Sequence, residues 1–313
     1  MNDLHILAPA GVELRTPALK LARQRLSALG YTVTLDPSTR ARHQRFAGDD
    51  AARLAALYRV ADAAPSIAMA CRGGYGMTRL LDQIDWARIG RSIERGTRWV
   101  GYSDLTALQL GLLAHLGAKP AARTWQGPMA ADDFGRDDTH GGLDDVTRDC
   151  FAEAMSGELE AVGFRTEAGF DGLEARGTLW GGNLAMVLSL LGTPHWPRIK
   201  GGILFLEDVN VHPYAIERGL LQLHQAGVLG QQKAVLLGRF NQWRASALDR
   251  GYTLKTAIAR LRSECQVPLL TGLPFGHPPG PAVAGAVSEP KLTLPVGARV
   301  QLVVQGRDVL VGW

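Results

Sequence analysis

Apolar residues in this chain fall in short runs separated by stretches of helical spacing. Leu4–Ala8, broken only by His5, is short enough for a buried strand. Thr16 and Pro17 open a helix to about Leu29, with Thr16 expected as its N-cap, Pro17 in the first turn and Gly30 just past the end. Tyr31–Leu35 alternates as a second strand, and Asp49 or Asp50 starts a helix through about Ala63. Ser66–Ala70 is a third strand, followed directly by Arg72-Gly-Gly-Tyr-Gly76 and a helix expected over Met77–Ile84. Trp99–Tyr102 is a further strand, and Asp104–Leu113 reads as an amphipathic helix behind it. This βαβα alternation predicts a parallel sheet with helices on both faces.

Between Ala130 and Thr147 the pattern changes. Asp132, Asp133, Asp137, Asp138, Asp144 and Asp145 stand among glycines, which predicts a surface linker, with a short helix over Cys150–Met155. The second half has a different texture. Gly177–Leu184 leads into an apolar helix ending near Gly192, and Gly202–Leu206 and Ala234–Gly238 are strands. Helices are expected over Tyr214–Gln225 and Thr253–Ser263. Lys291–Pro295, Arg299–Val304 and Asp308–Val311 form a meander-like β tail. The reading divides the chain into a first domain over 1–135, a linker over 136–172 and a second domain over 173–313.

Composition narrows the class. A chain of 313 residues is long for one core, and 46% hydrophobic with 20% charged residues fits a globular protein. The net charge of +4 is spread out, so neither a nucleic-acid nor a membrane partner is expected. Arg88, Arg91, Arg95 and Arg98 are its densest basic stretch and read as a solvated surface segment. Cys71, Cys150 and Cys265 are odd in number and irregularly spaced, which suits a reducing compartment. The first ten residues lack the pattern of a signal peptide, and no apolar stretch is long enough to span a bilayer.

Four features carry candidate chemistry. Ser103 stands where an apolar strand turns into a helix, beside unpaired backbone N–H groups that favour negative charge. It lacks the second glycine of a G-x-S-x-G elbow, so an ordinary α/β-hydrolase is not indicated. The Gly-rich turn at Gly73 and Gly74 lets backbone amides approach a ligand, as an oxyanion hole or as a phosphate cradle, but no G-K-[ST] follows it. Glu207 ends an apolar strand, while Asp208 is the better helix-cap candidate. His277 is presented by a stiff loop of glycines and prolines. No histidine spacing suggests a metal site. A serine needs a base within reach, and the base needs an orienting acid. Ser103, His277 and Glu207 meet that need in a cleft between two domains, a usual place for a small-molecule site.

Arg72-Gly-Gly-Tyr-Gly76, Gly101-Tyr-Ser-Asp-Leu105, Gly127-Pro-Met129, Gly181-Gly-Asn-Leu184, Leu206-Glu-Asp-Val-Asn210 and Gly276-His277, taken in order over nearly the whole chain, resemble the LD-carboxypeptidase family. These are muramoyltetrapeptide carboxypeptidases, the S66 serine peptidases. The resemblance implies an N-terminal domain like class I glutamine amidotransferases and a C-terminal swivelling β/α domain. It implies a triad on Ser103, Glu207 and His277 and an oxyanion hole from the backbone of Asp104 and Gly74, with Gly73 as an alternative. It further implies release of a terminal D-alanine from murein tetrapeptides, a cytoplasmic homodimer and no cofactor. Arg72 is the expected clamp for the substrate carboxylate, with a structural ion pair as its other reading. Two positions depart from the pattern: Gln126, before Gly127-Pro128, and a long connection over 278–290. Two other functions fit parts of the pattern, an amidase on another peptide conjugate and a non-catalytic nucleotide or sugar binder.

Overall fold

The computed structural model describes residues 2–278 and 289–313, so most of the 278–290 connection lies outside the described residues. The chain alternates strictly at first. β1 (Asp3–Leu7), α1 (Thr16–Ala28), β2 (Thr32–Leu35), α2 (Asp50–Ala63), β3 (Ile67–Ala70), α3 (Trp86–Glu94), β4 (Arg98–Val100), α4 (Thr106–Leu116) and β5 (Thr124–Gln126) follow in order. The second half runs α5 (Asp145–Ser156), β6 (Ala161–Arg165), β7 (Glu174–Asn183), α6 (Leu184–Leu190), β8 (Ile203–Val209), α7 (Pro213–Gln225), β9 (Ala234–Asn241), α8 (Leu254–Glu264) and β10 (Leu269–Leu270). It closes with β11 (Leu294–Val296), β12 (Arg299–Gln305) and β13 (Asp308–Gly312).

The strands form two sheets in a mixed α/β architecture. The six-stranded sheet has the order β11-β5-β4-β3-β1-β2 and is parallel except for β11, which pairs antiparallel with β5. Strand order reverses between β1 and β3, and the carboxyl ends at such a reversal leave a crevice. The Gly-rich turn after β3 and Ser103 after β4 both stand at carboxyl ends there. The seven-stranded sheet has the order β10-β9-β8-β7-β12-β13-β6. Its β10–β7 side is parallel, and β12, β13 and β6 pair antiparallel. The stretch expected as linker thus holds α5 and the edge strand β6. The expected C-terminal meander divides instead, with β11 in the first sheet and β12 and β13 in the second.

Local chemistry accounts for the helix starts. Asp49, Asp144, Asn183 and Thr253 each accept a backbone N–H from the first turn of α2, α5, α6 and α8. Thr16 does not cap α1; it is the first helical residue, Arg15 precedes it, and Pro17 occupies the first turn as expected. Met77–Ile84 is not a helix but two short 3₁₀ turns, and the Asp104 carboxylate accepts the Met77 amide at their start. The helix lies just beyond, as α3, capped by Asp85. Its buried Trp86, Ile89 and Ser92 recur at helical spacing beneath Arg88 and Arg91, while Arg95 follows the helix end and Arg98 opens β4.

α4 is not amphipathic. Every residue from Thr106 to Leu113 is buried, because the helix runs between α3 on one side and α6 and β7 on the other. One apolar cluster accordingly joins Leu57, Trp99 and Leu108 of the first half with Trp180, Phe205 and Leu302 of the second. The first part of the acid-rich stretch, Ala130 to Arg136, is packed inside, whereas Asp137 to His140, Asp145 and Val146 are exposed as a surface segment. Ala130, Ala131 and Phe134 are buried against α1, and Phe134 meets Phe151 at 5.1 Å. Asp133 is buried because its carboxylate is paired, accepting the Met129 amide at 2.8 Å and the Lys291 ammonium at 2.6 Å.

Lys291, itself buried, leads into β11, so this ion pair fastens the returning segment onto the first half. Removing one partner strands a buried charge. Lys291→Met is expected to destabilise the fold by about 3–5 kcal/mol, read as a lower urea midpoint. The double variant Lys291→Met/Asp133→Leu is expected to recover most of that loss.

Candidate active site

β4 delivers Ser103 through a tight turn. A Cβ on Gly101 would stand 2.7 Å from the Leu105 side chain and 2.9 Å from Ala70 Cβ, so only glycine lets the strand bend there. Ser103 follows with φ +61°, left-handed backbone in a residue that is not glycine. Such strain costs of order 1–3 kcal/mol and persists only where its surroundings over-determine it. Ser103 then opens a 3₁₀ turn that runs into α4, which places its hydroxyl at the head of a helix.

The Gly-rich turn after β3 lies directly against this elbow. A Cβ on Gly73 would fall 2.7 Å from Ser103 Oγ and 3.5 Å from the Asp104 backbone nitrogen. Gly74 adopts φ +106° and packs on Gly11, whose N–H donates to the Gly73 carbonyl at 3.1 Å. The Asp104 carboxylate accepts the Met77 amide at 2.8 Å and so locks the turn to the elbow.

The second sheet supplies the other two groups. Register slips between β8 and β9 at Glu207: Leu206 faces Leu237, whereas Asp208 faces Phe240. Irregularities of this kind re-aim side chains beside functional sites. Glu207 is wholly buried, and Asn183 Nδ2 donates to its Oε1 at 3.1 Å. Its Oε2 stands 2.7 Å from His277 Nδ1 and accepts the His277 backbone N–H at 3.2 Å. On the far side of the ring, His277 Nε2 lies 3.0 Å from Ser103 Oγ. With Nδ1–H donated to the carboxylate, Nε2 is left to accept the serine proton. Asn241 Nδ2 holds the His277 carbonyl at 2.8 Å, and the Tyr102 ring packs edge-on to the imidazole at 4.9 Å.

Burial alone pushes the Glu207 carboxyl up, but the imidazole, the Asn183 amide and the buried Lys291 ammonium outweigh it and hold the group below its ordinary value. Asp208 goes the other way, raised by burial and by Glu207 beside it. Its carboxylate accepts the Ala185 amide at 3.0 Å, so it does serve a helix start, that of α6.

A cavity of about 800 Å³ opens over Ser103 and His277. Arg15, Arg72 and Arg136 line it from the first half, and Val209, Asn210 and Gln242 from the second. Arg15 is tied to Glu13 and Asp132 at 3.0 and 2.7 Å. Arg72 donates to the Val12 carbonyl at 3.1 Å and forms no ion pair among the described residues. Gln126 lies outside the cavity. It is buried and donates to Thr106 Oγ1 at 2.8 Å and to Gln109 Oε1 at 2.6 Å, and Thr106 Oγ1 also accepts the Asn183 amide at 3.2 Å. Among the described residues no group of three or more His, Cys, Asp or Glu is placed to hold a metal ion.

Ser103, Glu207 and His277 thus stand in one hydrogen-bonded row, with Gly73, Gly74 and Asp104 around the serine and Arg72 in the cavity wall. Asn183, Arg15, Asn210 and Gln242 drew no role from the sequence. Asn183 and Asn210 lie in the quoted segments Gly181–Leu184 and Leu206–Asn210, whereas Arg15 and Gln242 had no local signal.

Family profiles match this chain twice, the LD-carboxypeptidase N-terminal domain over residues 4–122 and the C-terminal domain over 176–302. The chain belongs to the LD-carboxypeptidase family of serine peptidases. A probable murein peptide carboxypeptidase of Bacillus subtilis is 30% identical over 88% of this chain and 81% of its own. The crystal structure of muramoyltetrapeptide carboxypeptidase from Oxalobacter formigenes is similar with a TM-score of 0.84 and 37% identity, covering 99% of this chain and 97% of that one. The microcin C7 self-immunity protein MccF of Escherichia coli is 25% identical over 77% of this chain and 72% of its own. Its structure shares the fold at a TM-score of 0.82, covering 100% of this chain and 96% of that one.

Burial pushes the Asp104 carboxyl up to about 6, against the Met77 amide and the Arg53 and Arg45 charges that pull it down. A carboxyl raised above its unfolded value, near 4, contributes stability that is full below about pH 4 and lost as pH rises through about 6. Asp104→Asn removes that dependence. The stability of the native chain relative to the variant is expected to fall by about 3 kcal/mol between pH 4 and 7, measured by urea unfolding across that range.

Proposed function

We infer that the chain is an LD-carboxypeptidase that releases the terminal D-alanine from murein tetrapeptides through a Ser-His-Glu acyl-enzyme mechanism. The observation that carries this reading is the row Ser103 Oγ–His277 Nε2–His277 Nδ1–Glu207 Oε2, with steps of 3.0 and 2.7 Å, at the wall of a peptide-sized cavity. His277 removes the Ser103 proton as Oγ attacks the carbonyl before the terminal residue. The oxyanion that forms is met by the backbone N–H groups of Asp104 and Gly74; removing one such donor typically costs about 3–4 kcal/mol. Glu207, kept ionised, orients the imidazole and stabilises its charged form. His277 then hands its proton to the departing amine of D-alanine, and water cleaves the acyl-enzyme by the same steps in reverse.

A carboxypeptidase must also hold a free carboxylate. Arg72 fits that task, because its guanidinium stands in the cavity wall beside the oxyanion turn without an ion-pair partner among the described residues. Free cysteines at Cys71, Cys150 and Cys265 suit a cytoplasmic role in recycling cell-wall peptides. A second reading is favoured by the likeness to MccF: the same row would open the amide of another peptide conjugate, one bearing a nucleotide.

Incubation with a tetrapeptide ending in D-alanine is expected to free that amino acid, and the L-alanine isomer is expected to stay intact. Ser103→Ala is expected to lower kcat more than about 1,000-fold with the fold unchanged, read by amino-acid release and circular dichroism. Undiminished release by that variant would exclude Ser103 as the nucleophile.

A further inference from the structure

The turn from Arg72 to Met77 carries three glycines, and Gly74 and Gly76 hold φ values of +106° and +150°. Its tip, Tyr75, is 41% exposed. Glycine has the widest choice of backbone conformation, so such a turn needs outside contacts to keep one shape. The proposed reaction asks an amide of this turn, the Gly74 N–H, to meet an oxyanion, and such donors serve only when fixed beforehand.

The contacts that fix the turn come from two buried charges on opposite sides of one peptide bond. Arg53, on α2, is wholly buried, and its Nη1 donates to the Gly76 carbonyl at 2.8 Å. Asp104, also buried, accepts the N–H of Met77 at 2.8 Å through Oδ2. The Gly76 carbonyl and the Met77 N–H belong to the same peptide. Its oxygen therefore faces a cation and its N–H an anion, the alignment that its own dipole favours. Hydrogen bonds to ionised groups are stronger than neutral ones, the more so away from water.

The surroundings are shaped to this arrangement. A Cβ on Gly76 would stand 2.5 Å from Arg53 Nη1, so only glycine admits the guanidinium. The Phe46 ring lies 4.8 Å from that guanidinium, which also donates to the Pro9 carbonyl at 3.0 Å. Pro9 leads to Gly11, whose N–H holds the Gly73 carbonyl at 3.1 Å. Both ends of the turn are thus tied back to Arg53. Gly73 and Gly74 line the cavity, whereas Arg53 and Asp104 do not.

We propose that Arg53 and Asp104 are positioning residues that clamp the Gly76–Met77 peptide between opposite charges and so hold the Gly74 N–H ready for the oxyanion. The proposal rests on the reading of the site as a serine carboxypeptidase that cleaves a D-alanine-terminated tetrapeptide. It adds two side chains that act on the reaction through the backbone, without touching substrate.

The test measures kcat and KM for that tetrapeptide in Asp104→Ala, Asp104→Asn, Arg53→Met and the double variant Arg53→Met/Asp104→Ala, with circular dichroism as the check on folding. Asp104→Ala and Arg53→Met are each expected to lower kcat about 100-fold and to leave KM within about twofold. Asp104→Asn still offers an oxygen to the Met77 N–H and is expected to keep kcat within about tenfold of the native chain. The double variant is expected to lose no more than about 100-fold, because both side chains hold the same peptide. Native kcat in Asp104→Ala, a rise in KM without a fall in kcat, or a double variant that loses about 10,000-fold overturns the clamp. Should Arg53→Met not fold, the kcat and KM of Asp104→Ala decide alone. Failure of the native chain to release D-alanine overturns the underlying reading of the site instead.

Discussion

One hydrogen bond crosses between the two halves of the molecule and makes the site whole: His277 Nε2 to Ser103 Oγ at 3.0 Å. Its two residues follow strands of separate sheets, β4 and β10, and stand 174 residues apart in the chain. Such a contact weakens steeply with small displacements. Much of the remaining architecture reads as a means of keeping the halves in register. α4 is buried from Thr106 to Leu113 between them, so the helix that follows the Ser103 turn is also the wall that β7 and α6 pack on. Thr106, in its first turn, accepts amides from Gln126 of the first sheet and Asn183 of the second. Asn183 in turn donates to Glu207. A polar chain therefore runs from β5 to the buried carboxylate, parallel to the row that faces the cavity.

Electrostatics follows the same division. The imidazole requires an ionised partner in a place where burial opposes charge. Lys291 and the Asn183 amide offset that penalty at Glu207, and Lys291 is itself kept from isolation by Asp133. Asp208, one residue along, accepts the same Asn183 amide at 3.0 Å, but burial and the neighbouring Glu207 charge outweigh it and shift the group upward. Two neighbouring acids thus differ because of what each one faces.

The repeated strand–helix alternation, a helix start at Asp49 or Asp50 and the candidate residues Ser103, Glu207 and His277 were legible in the sequence. Each leaves a local mark: an apolar run, a turn residue or a polar group at a strand end. What was not legible depends on partners distant in the chain. Asp133 sits among acids and glycines and looks solvated until Lys291 neutralises it from 158 residues away. Leu294–Val296 has a strand composition, but nothing in it says which sheet it joins. Asp104–Leu113 reads in the sequence as an amphipathic helix, but its polar Thr106 and Gln109 are both buried and hydrogen-bonded. The arginines of α3 read as a solvated stretch, while Trp86, Ile89 and Ser92 beneath them are buried.

The return of β11 to the first sheet also sets an order of assembly. During synthesis the amino-terminal half emerges first, with β5 as a bare edge whose backbone N–H and C=O groups have no neighbour. That edge is covered only when Leu294–Val296 leaves the ribosome, after almost the whole chain has been made. A nascent amino-terminal half therefore presents an unpaired strand edge of the kind that templates aggregation, and a truncated chain that ends before β11 keeps it.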